Sequence, residues 1–283
     1  MNRKWFFVDT EKKRQRAIHD FSSSPLLCID TEYDSFRYFR EKLCLIQIKA
    51  EAAAYILDPL NGIDLSFLGK YFKNKKITKV LHAADNDIRL LKRDYGFVFE
   101  NIFDTHRAAM LLGFQQLSLD KMINQFLGLE LKKNKRMQRS RWDTRPLSDE
   151  QMMYAVEDVA HLPALYDKQL ASLRENGLEN AAAEAFARIA SSNWQEKRID
   201  RRGYTRFAGY HELDGRQKEL LKELYAWRWN RAKEENRAIF MFMPDIILLE
   251  LAQNSGNLEG ILTAARAKHF LPELALLING LKN

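Results

Sequence analysis

The sequence holds only two cysteines in 283 residues, Cys28 and Cys44. Both sit in apolar runs, LLCI and KLCLIQI, where a free thiol behaves as a small hydrophobe. There is no CxxC pair and no Cys/His cluster. That excludes the usual spacings of structural zinc and leaves no disulfide framework that would need an oxidising compartment. Long hydrophobic runs are lacking too, so no segment approaches a membrane span. The stretch MNRKWFFVDTEKKRQR has a four-residue apolar run before charge sets in, too short for the apolar part of a signal peptide. A cytoplasmic protein is expected. Internal repeats and low-complexity tracts are also missing.

What is present is an ordinary globular balance, 46% hydrophobic and 29% charged residues. The length fits about two domains of roughly 100–200 residues each. A formal charge of +7 and a pI of about 9.2 favour an anionic partner such as nucleic acid, although basic surfaces are common without one.

The first half alternates short apolar runs with helical patterns. KWFFV, LLCIDTE, KLCLIQI, AAYILD, ITKVLHA and NIFDT read as strands. Asp9 or Thr10 is placed to cap a helix through about Phe21. LSFLGKYFKN reads as helical, and DNDIRLLKRDYG as a helix ended by Gly96. This alternation predicts an α/β domain, a mixed or parallel sheet flanked by helices. From Ser118 the pattern is helical. Ser148 and Gln151 fit a capping box, and Pro163 is expected to kink the following helix near Val159. The predicted division is an α/β domain over 1–195, a charged linker over 196–212 and a small all-helical domain over 213–283, with breaks near Pro244, Gly256 and His269.

The residues that carry chemistry are carboxylates. Asp30 and Glu32 are two apart on one strand, so they project to the same side. Buried carboxylates need a partner, although such a pair also fits a solvated strand end. Asp85 and Asp87 both fall in the first turn of a helix, where acids complement the positive N-terminus; capping suits Asp85. Tyr154 and Asp158, four apart, share a helix face that Leu162 continues. Together these pieces put four carboxylates on one strand end and two helices. Hard cations such as magnesium take oxygen ligands. Two ions about 3.5–4 Å apart can clamp the attacking and leaving oxygens of a phosphodiester displacement. A pair of cations would offset both the burial and the mutual repulsion of these acids.

DTE, HAADNDIRLL and YAVEDVAHLPALY resemble, in order, the three exonuclease motifs of the DEDD superfamily. The Tyr154-x-x-x-Asp158 spacing resembles its tyrosine subclass. With flanks such as REKLCLIQI and FDTHRAAMLLG, nearly the whole chain is similar to the ribonuclease D family, its C-terminal part looking like an HRDC domain. The resemblance implies a ribonuclease H-like exonuclease fold and a two-metal 3′-5′ exoribonuclease that releases nucleoside 5′-monophosphates. The implied cofactors are two magnesium ions, with manganese as an alternative. It assigns Asp30, Glu32, Asp87 and Asp158 as metal ligands, Asp30 bridging both ions, Glu32 and Asp158 completing the ion that bears the nucleophile, and Asp87 acting on the second ion through water. Tyr154 would position the attacking water. Asp104 reads as a helix cap, and His82 and His161 as packing or hydrogen-bonding residues.

The stretch LKKNKRMQRSRWDTRPLS immediately precedes the Tyr154 helix and carries Lys132, Lys133, Lys135, Arg136, Arg139, Arg141 and Arg145 against Asp143 alone. A charge run is usually solvated surface. Beside an acidic site, a basic flank is needed to hold substrate phosphates, so Arg139, Arg141, Trp142 and Arg145 are candidates for gripping a single-stranded RNA 3′ end. Trp142 either stacks on a base, a contact worth roughly 1–3 kcal/mol, or packs under the loop. Transfer-RNA precursors are the first RNA to consider. The carboxylates do not separate RNA from DNA, because that choice rests on the 2′-OH. The alternatives are a DNA exonuclease of the Werner type and a non-catalytic nucleic-acid-binding protein.

Overall fold

The apolar runs become the strands of one six-stranded sheet in a computed structural model that describes residues 4–131 and 135–281. Strand β1 is Trp5–Val8, β2 Leu26–Asp34, β3 Lys42–Lys49, β4 Ala54–Leu57, β5 Thr78–Leu81 and β6 Ile102–Asp104. Their order across the sheet is β1-β4-β3-β2-β5-β6. The β3 strand runs antiparallel to β2 and β4, while β1–β4, β2–β5 and β5–β6 are parallel. The sheet is therefore mixed. In β3 every residue from Leu43 to Ile48 is buried, which requires both faces to be covered.

Helices cover those faces. Helix α1 is Glu11–Ser23, and Thr10, not Asp9, caps it, its side chain accepting from the Lys13 amide. The expected helix over LSFLGKYFKN is a 3₁₀ turn, Ser66–Leu68, followed by the short α2, Gly69–Phe72. Helix α3, Asp85–Tyr95, ends on Gly96 at φ 66°, a left-handed conformation that glycine adopts without steric cost. Its N-cap is Ala84, so Asp85 does not cap; it lies in the first turn and pairs with Arg107 at 3.3 Å. The cap expected at Asp104 is present: its carboxylate accepts from the Arg107 amide at 2.7 Å at the start of α4, Thr105–Leu111, and from the Ala84 amide at 2.6 Å.

Helix α5 is Leu119–Leu127 and α6 Lys135–Gln138. The Ser148/Gln151 capping box opens α7, Asp149–Ala160, which packs across β2, β3 and β4. Pro163 does more than kink this helix. The chain breaks at His161 and restarts as α8, Leu162–Glu175, with Pro163 in its first turn, where a missing amide hydrogen costs nothing. Helix α9, Glu179–Ser191, follows.

The chain divides into two units, residues 1–34 with 42–195, and residues 35–41 with 196–283. The linker expected over 196–212 does not exist as such. Its aromatic residues tie its second half to the second unit, while 196–202 stay exposed or half-buried: Phe207 joins that core, and Tyr204 and Phe207 pack on Tyr225 at 6.1 and 5.9 Å. Its charges are partly paired, Lys197 with Glu41 and Arg206 with Asp200. Phe39 from the β2–β3 loop also enters this core, edge-on to Trp229. Helices α10 (Gly215–Glu234), α11 (Ile239–Phe242), α12 (Asp245–Gln253), α13 (Leu258–Ala264) and α14 (Leu271–Gly280) complete the unit. They break where Pro244, Gly256 and His269 fall. Among the described residues no helix is long and apolar enough to cross a membrane.

The basic stretch before α7 is anchored rather than loose. Arg145 makes a two-pronged pair with Asp58, with Nη2 at 2.7 Å, and its guanidinium also donates to the carbonyls of Trp142 and Cys44 at 2.7 and 2.8 Å. Asp58 is fully buried. Arg145 is thus an internal clamp and not a phosphate ligand, which corrects the sequence reading. Replacing Arg145 with methionine leaves a buried carboxylate unpaired; the first unit should lose about 3–5 kcal/mol in urea unfolding.

Candidate active site

Strand β2 and helix α7 bring three of the four acids together. Ligand-capable oxygens of Asp30, Glu32 and Asp158 all lie within 4.8 Å of one another. The alternation of β2 puts Asp30 and Glu32 on one side, and α7, laid over that side, supplies Asp158 and, one turn earlier, Tyr154. Beside them opens a cavity of about 280 Å³ that Asp30, Tyr154, Asp158, His82 and Gln138 help to line. A larger groove of about 760 Å³ between β6 and α9 contains none of these acids.

Asp87 stands apart from the cluster. Its carboxylate accepts a hydrogen bond from the Thr31 hydroxyl, on the middle residue of DTE. It is still close enough for its charge to act on Asp30 and Glu32. Thr31 went unnoticed in the sequence; its only signal was its place between the two acids.

The electrostatics are those of a site short of positive charge. Burial pushes the Asp30 and Glu32 carboxyls well above the usual carboxylate range, and repulsion from Asp158, Asp87 and each other pushes the same way. Burial raises Asp158 to about 7, against a hydrogen bond from Tyr154 that lowers it. Asp87 rises to about 6, again chiefly through burial, with the Thr31 hydrogen bond opposing. Among the described residues, no cationic group is a main influence on any of the four. Oxygen donors at this spacing with uncompensated charge fit a hard divalent cation. Burial and the neighbouring acids hold the Tyr154 phenol protonated, so it acts as a hydrogen-bond donor at neutral pH.

His82 bonds through Nδ1 to the Thr105 hydroxyl at 2.8 Å, and burial lowers its pKa to about 4. It is a neutral wall of the cavity and no proton donor at neutral pH, in line with the sequence reading. His161 lies at the α7–α8 break.

Of the candidate RNA-gripping residues, the structure leaves two on the surface. Arg139 is exposed, and Arg141 is exposed while paired with Asp143 at 3.1 Å. Lys132 and Lys133 lie outside the described residues. Trp142 is only 2% exposed and packs against Tyr154 with ring centroids 6.0 Å apart. Of its two readings, the structure shows packing: the indole is part of the core and backs the Tyr154 phenol. Arg145 is occupied by Asp58, as described above.

The raised carboxyls set a pH dependence with a definite sign. Unfolded, such groups titrate near 3.9–4.3; folded, Asp87 and Asp158 titrate at about 6 and 7. The cation-free fold therefore holds its protons more tightly, and its stability falls as pH rises from about 4 through 7. The melting temperature without metal should drop between pH 5 and pH 8. Manganese or magnesium should raise it far more at pH 8 than at pH 5, and Asp158→Asn should flatten both trends.

The chain also has known relatives. A family described as 3′-5′ exonuclease matches residues 5–173, and one described as HRDC domain matches residues 217–275. The exosome complex component 10 homolog of Drosophila melanogaster is 29% identical over 263 residues, 90% of this chain and 29% of that protein. A ribonuclease D of Gluconacetobacter diazotrophicus is 30% identical over 256 residues, 87% of this chain and 62% of that protein. This chain thus spans under a third of the first and under two thirds of the second. The crystal structure of the catalytic core of RRP6 from Trypanosoma brucei superposes with a TM-score of 0.88 at 22% identity, covering 99% of this chain and 80% of that one. That likeness establishes the ribonuclease H-like sheet followed by a helical unit, and the exonuclease family is one that depends on divalent metal. With residues 5–173, more than half of the chain, inside that family's span, the chain belongs to the 3′-5′ exonuclease family, with an HRDC match over 217–275 behind it.

Proposed function

We propose that the protein is a 3′-5′ exoribonuclease that uses two divalent cations, magnesium or manganese, to trim single-stranded RNA 3′ ends. The observation that carries this reading is the Asp30–Glu32–Asp158 cluster, with Asp87 at its edge, beside a cavity walled by Tyr154. When bound, the cations supply charge neutralisation and a lowered pKa for water. Asp30, Glu32 and Asp158 would hold them, and Asp87 would act on them through water. The protonated Tyr154 hydroxyl, backed by Trp142, orients the attacking water at the scissile phosphate. The 3′-terminal nucleotide occupies the cavity and leaves as a nucleoside 5′-monophosphate. Outside the cavity, Arg139 and Arg141 meet the phosphates of the following nucleotides. Arg141 is exposed but its partner Asp143 is largely buried, so a phosphate would share the guanidinium with that carboxylate.

Relatives named ribonuclease D and exosome complex component 10 support RNA over DNA as the substrate class. Transfer-RNA precursors are the first natural RNA to try. The two cysteines, both buried and unpaired, suit a reducing compartment such as the cytoplasm.

Single-stranded RNA labelled at either end, beside matched DNA, tests this reading. RNA should shorten stepwise from the 3′ end with magnesium or manganese; chelator or Asp30→Ala should abolish it. Equal or faster loss of DNA would transfer the activity to DNA, and tight binding without cleavage would make the chain a binding protein. Charge reversal at Arg139 and Arg141 should weaken RNA binding and flatten the salt dependence of log K by about 0.7 for each phosphate no longer neutralised. Unchanged affinity and slope would remove both residues from the interface.

A further inference from the structure

Gln47 is a buried polar residue with no partner. It lies in the fully buried run of β3 between Ile46 and Ile48, and is itself 0% exposed. Among the described residues, neither its Oε1 nor its Nε2 has a hydrogen-bond partner. A buried polar group left unsatisfied costs about 1–3 kcal/mol, and a strand covered on both faces is normally built from Val, Ile and Leu. An apolar side chain would serve the fold better here, so the amide must answer to something other than packing.

Its neighbours say what. In the antiparallel β2–β3 pair Gln47 stands directly opposite Asp30. Directly opposed residues project from the same face with Cβ atoms about 4.5–5.5 Å apart, within reach of an amide on a two-methylene stem. On the other flank β4 places Ile56 opposite Gln47, which offers no hydrogen-bonding atom. Helix α7 closes over β2, β3 and β4. Among the described residues, Asp30 receives a hydrogen bond from the Thr31 backbone but none from a side chain, whereas Asp87 has the Thr31 hydroxyl and Asp158 has Tyr154.

We propose that Gln47 is a positioning residue of the metal site, its amide donating to the ionised Asp30 carboxylate and fixing the orientation in which that carboxylate meets the cation. This rests on the metal-dependent reading above. A carboxylate that serves two ions needs both oxygens aimed, and a neutral amide can hold it without competing as a cation. The unsatisfied amide is then a cost carried by the metal-free fold and recovered on loading.

Gln47→Met and Gln47→Leu, which keep the volume and remove the amide, test this by two readouts that need no RNA. Manganese titrated into wild type and variants by calorimetry should bind the variants 10–100-fold more weakly, the usual effect of losing a group that orients a ligand. Unfolding midpoints in chelator should stay unchanged or rise. In an Asp30→Asn background, Gln47→Met should cause no further loss of manganese affinity. Wild-type manganese affinity in both variants, or variants that lose stability in chelator, would overturn the proposal and leave Gln47 a packing residue. Failure of the wild-type chain itself to bind manganese would overturn the metal-dependent reading, and the proposal with it.

Discussion

Mutual repulsion among half-buried carboxylates is the constraint around which the first unit is arranged. Asp30, Glu32 and Asp158 bring oxygens within 4.8 Å of each other with no basic side chain acting on them among the described residues. Such an arrangement is unfavourable to the fold alone and becomes favourable when cations bind. The surroundings make sense in that light. Strand β2 is central and rigid, α7 is capped at its start by a reciprocal Ser148/Gln151 box, and α3 is stopped cleanly at Gly96. The alternation of β2 and the packing of α7 across it set where Asp30, Glu32 and Asp158 lie.

The basic stretch before α7 is divided by chemistry. Arg145 and Trp142 turn inward, one to the buried Asp58 and the other to Tyr154. Arg139 and Arg141 turn outward. The inward pair holds the segment so that the outward pair is presented from a fixed base, and the same indole that anchors it supports the Tyr154 ring. Guanidinium suits both roles, since its planar fork satisfies a buried carboxylate in two-pronged fashion and binds phosphates equally well. Residue type alone does not separate the two.

The second unit shows the same ambiguity on a larger scale. Charge clustering made 196–212 look like a linker, yet Tyr204, Phe207 and Tyr210 interleave with those charges and tie the segment into a helical core. The contribution of Phe39 comes from a loop far away in the sequence, a link that no local pattern announces.

Local rules were enough for the strands, the helix caps at Thr10, Asp104 and Ser148, the stop at Gly96, and the shared side of Asp30 and Glu32, because each depends on residues within a turn or a strand of one another. Tertiary structure alone decided the rest. Asp85 lost its capping role to Ala84, Pro163 became a helix start, and Asp87 was drawn to Thr31. Trp142 and Arg145 went into the core, and Gln47 was set against Asp30. These outcomes turn on which side chains meet across strands and helices far apart in the chain. Spacing can place Asp30 and Glu32 on one face, but only the register of β3 against β2 determines that the residue opposite Asp30 is a glutamine.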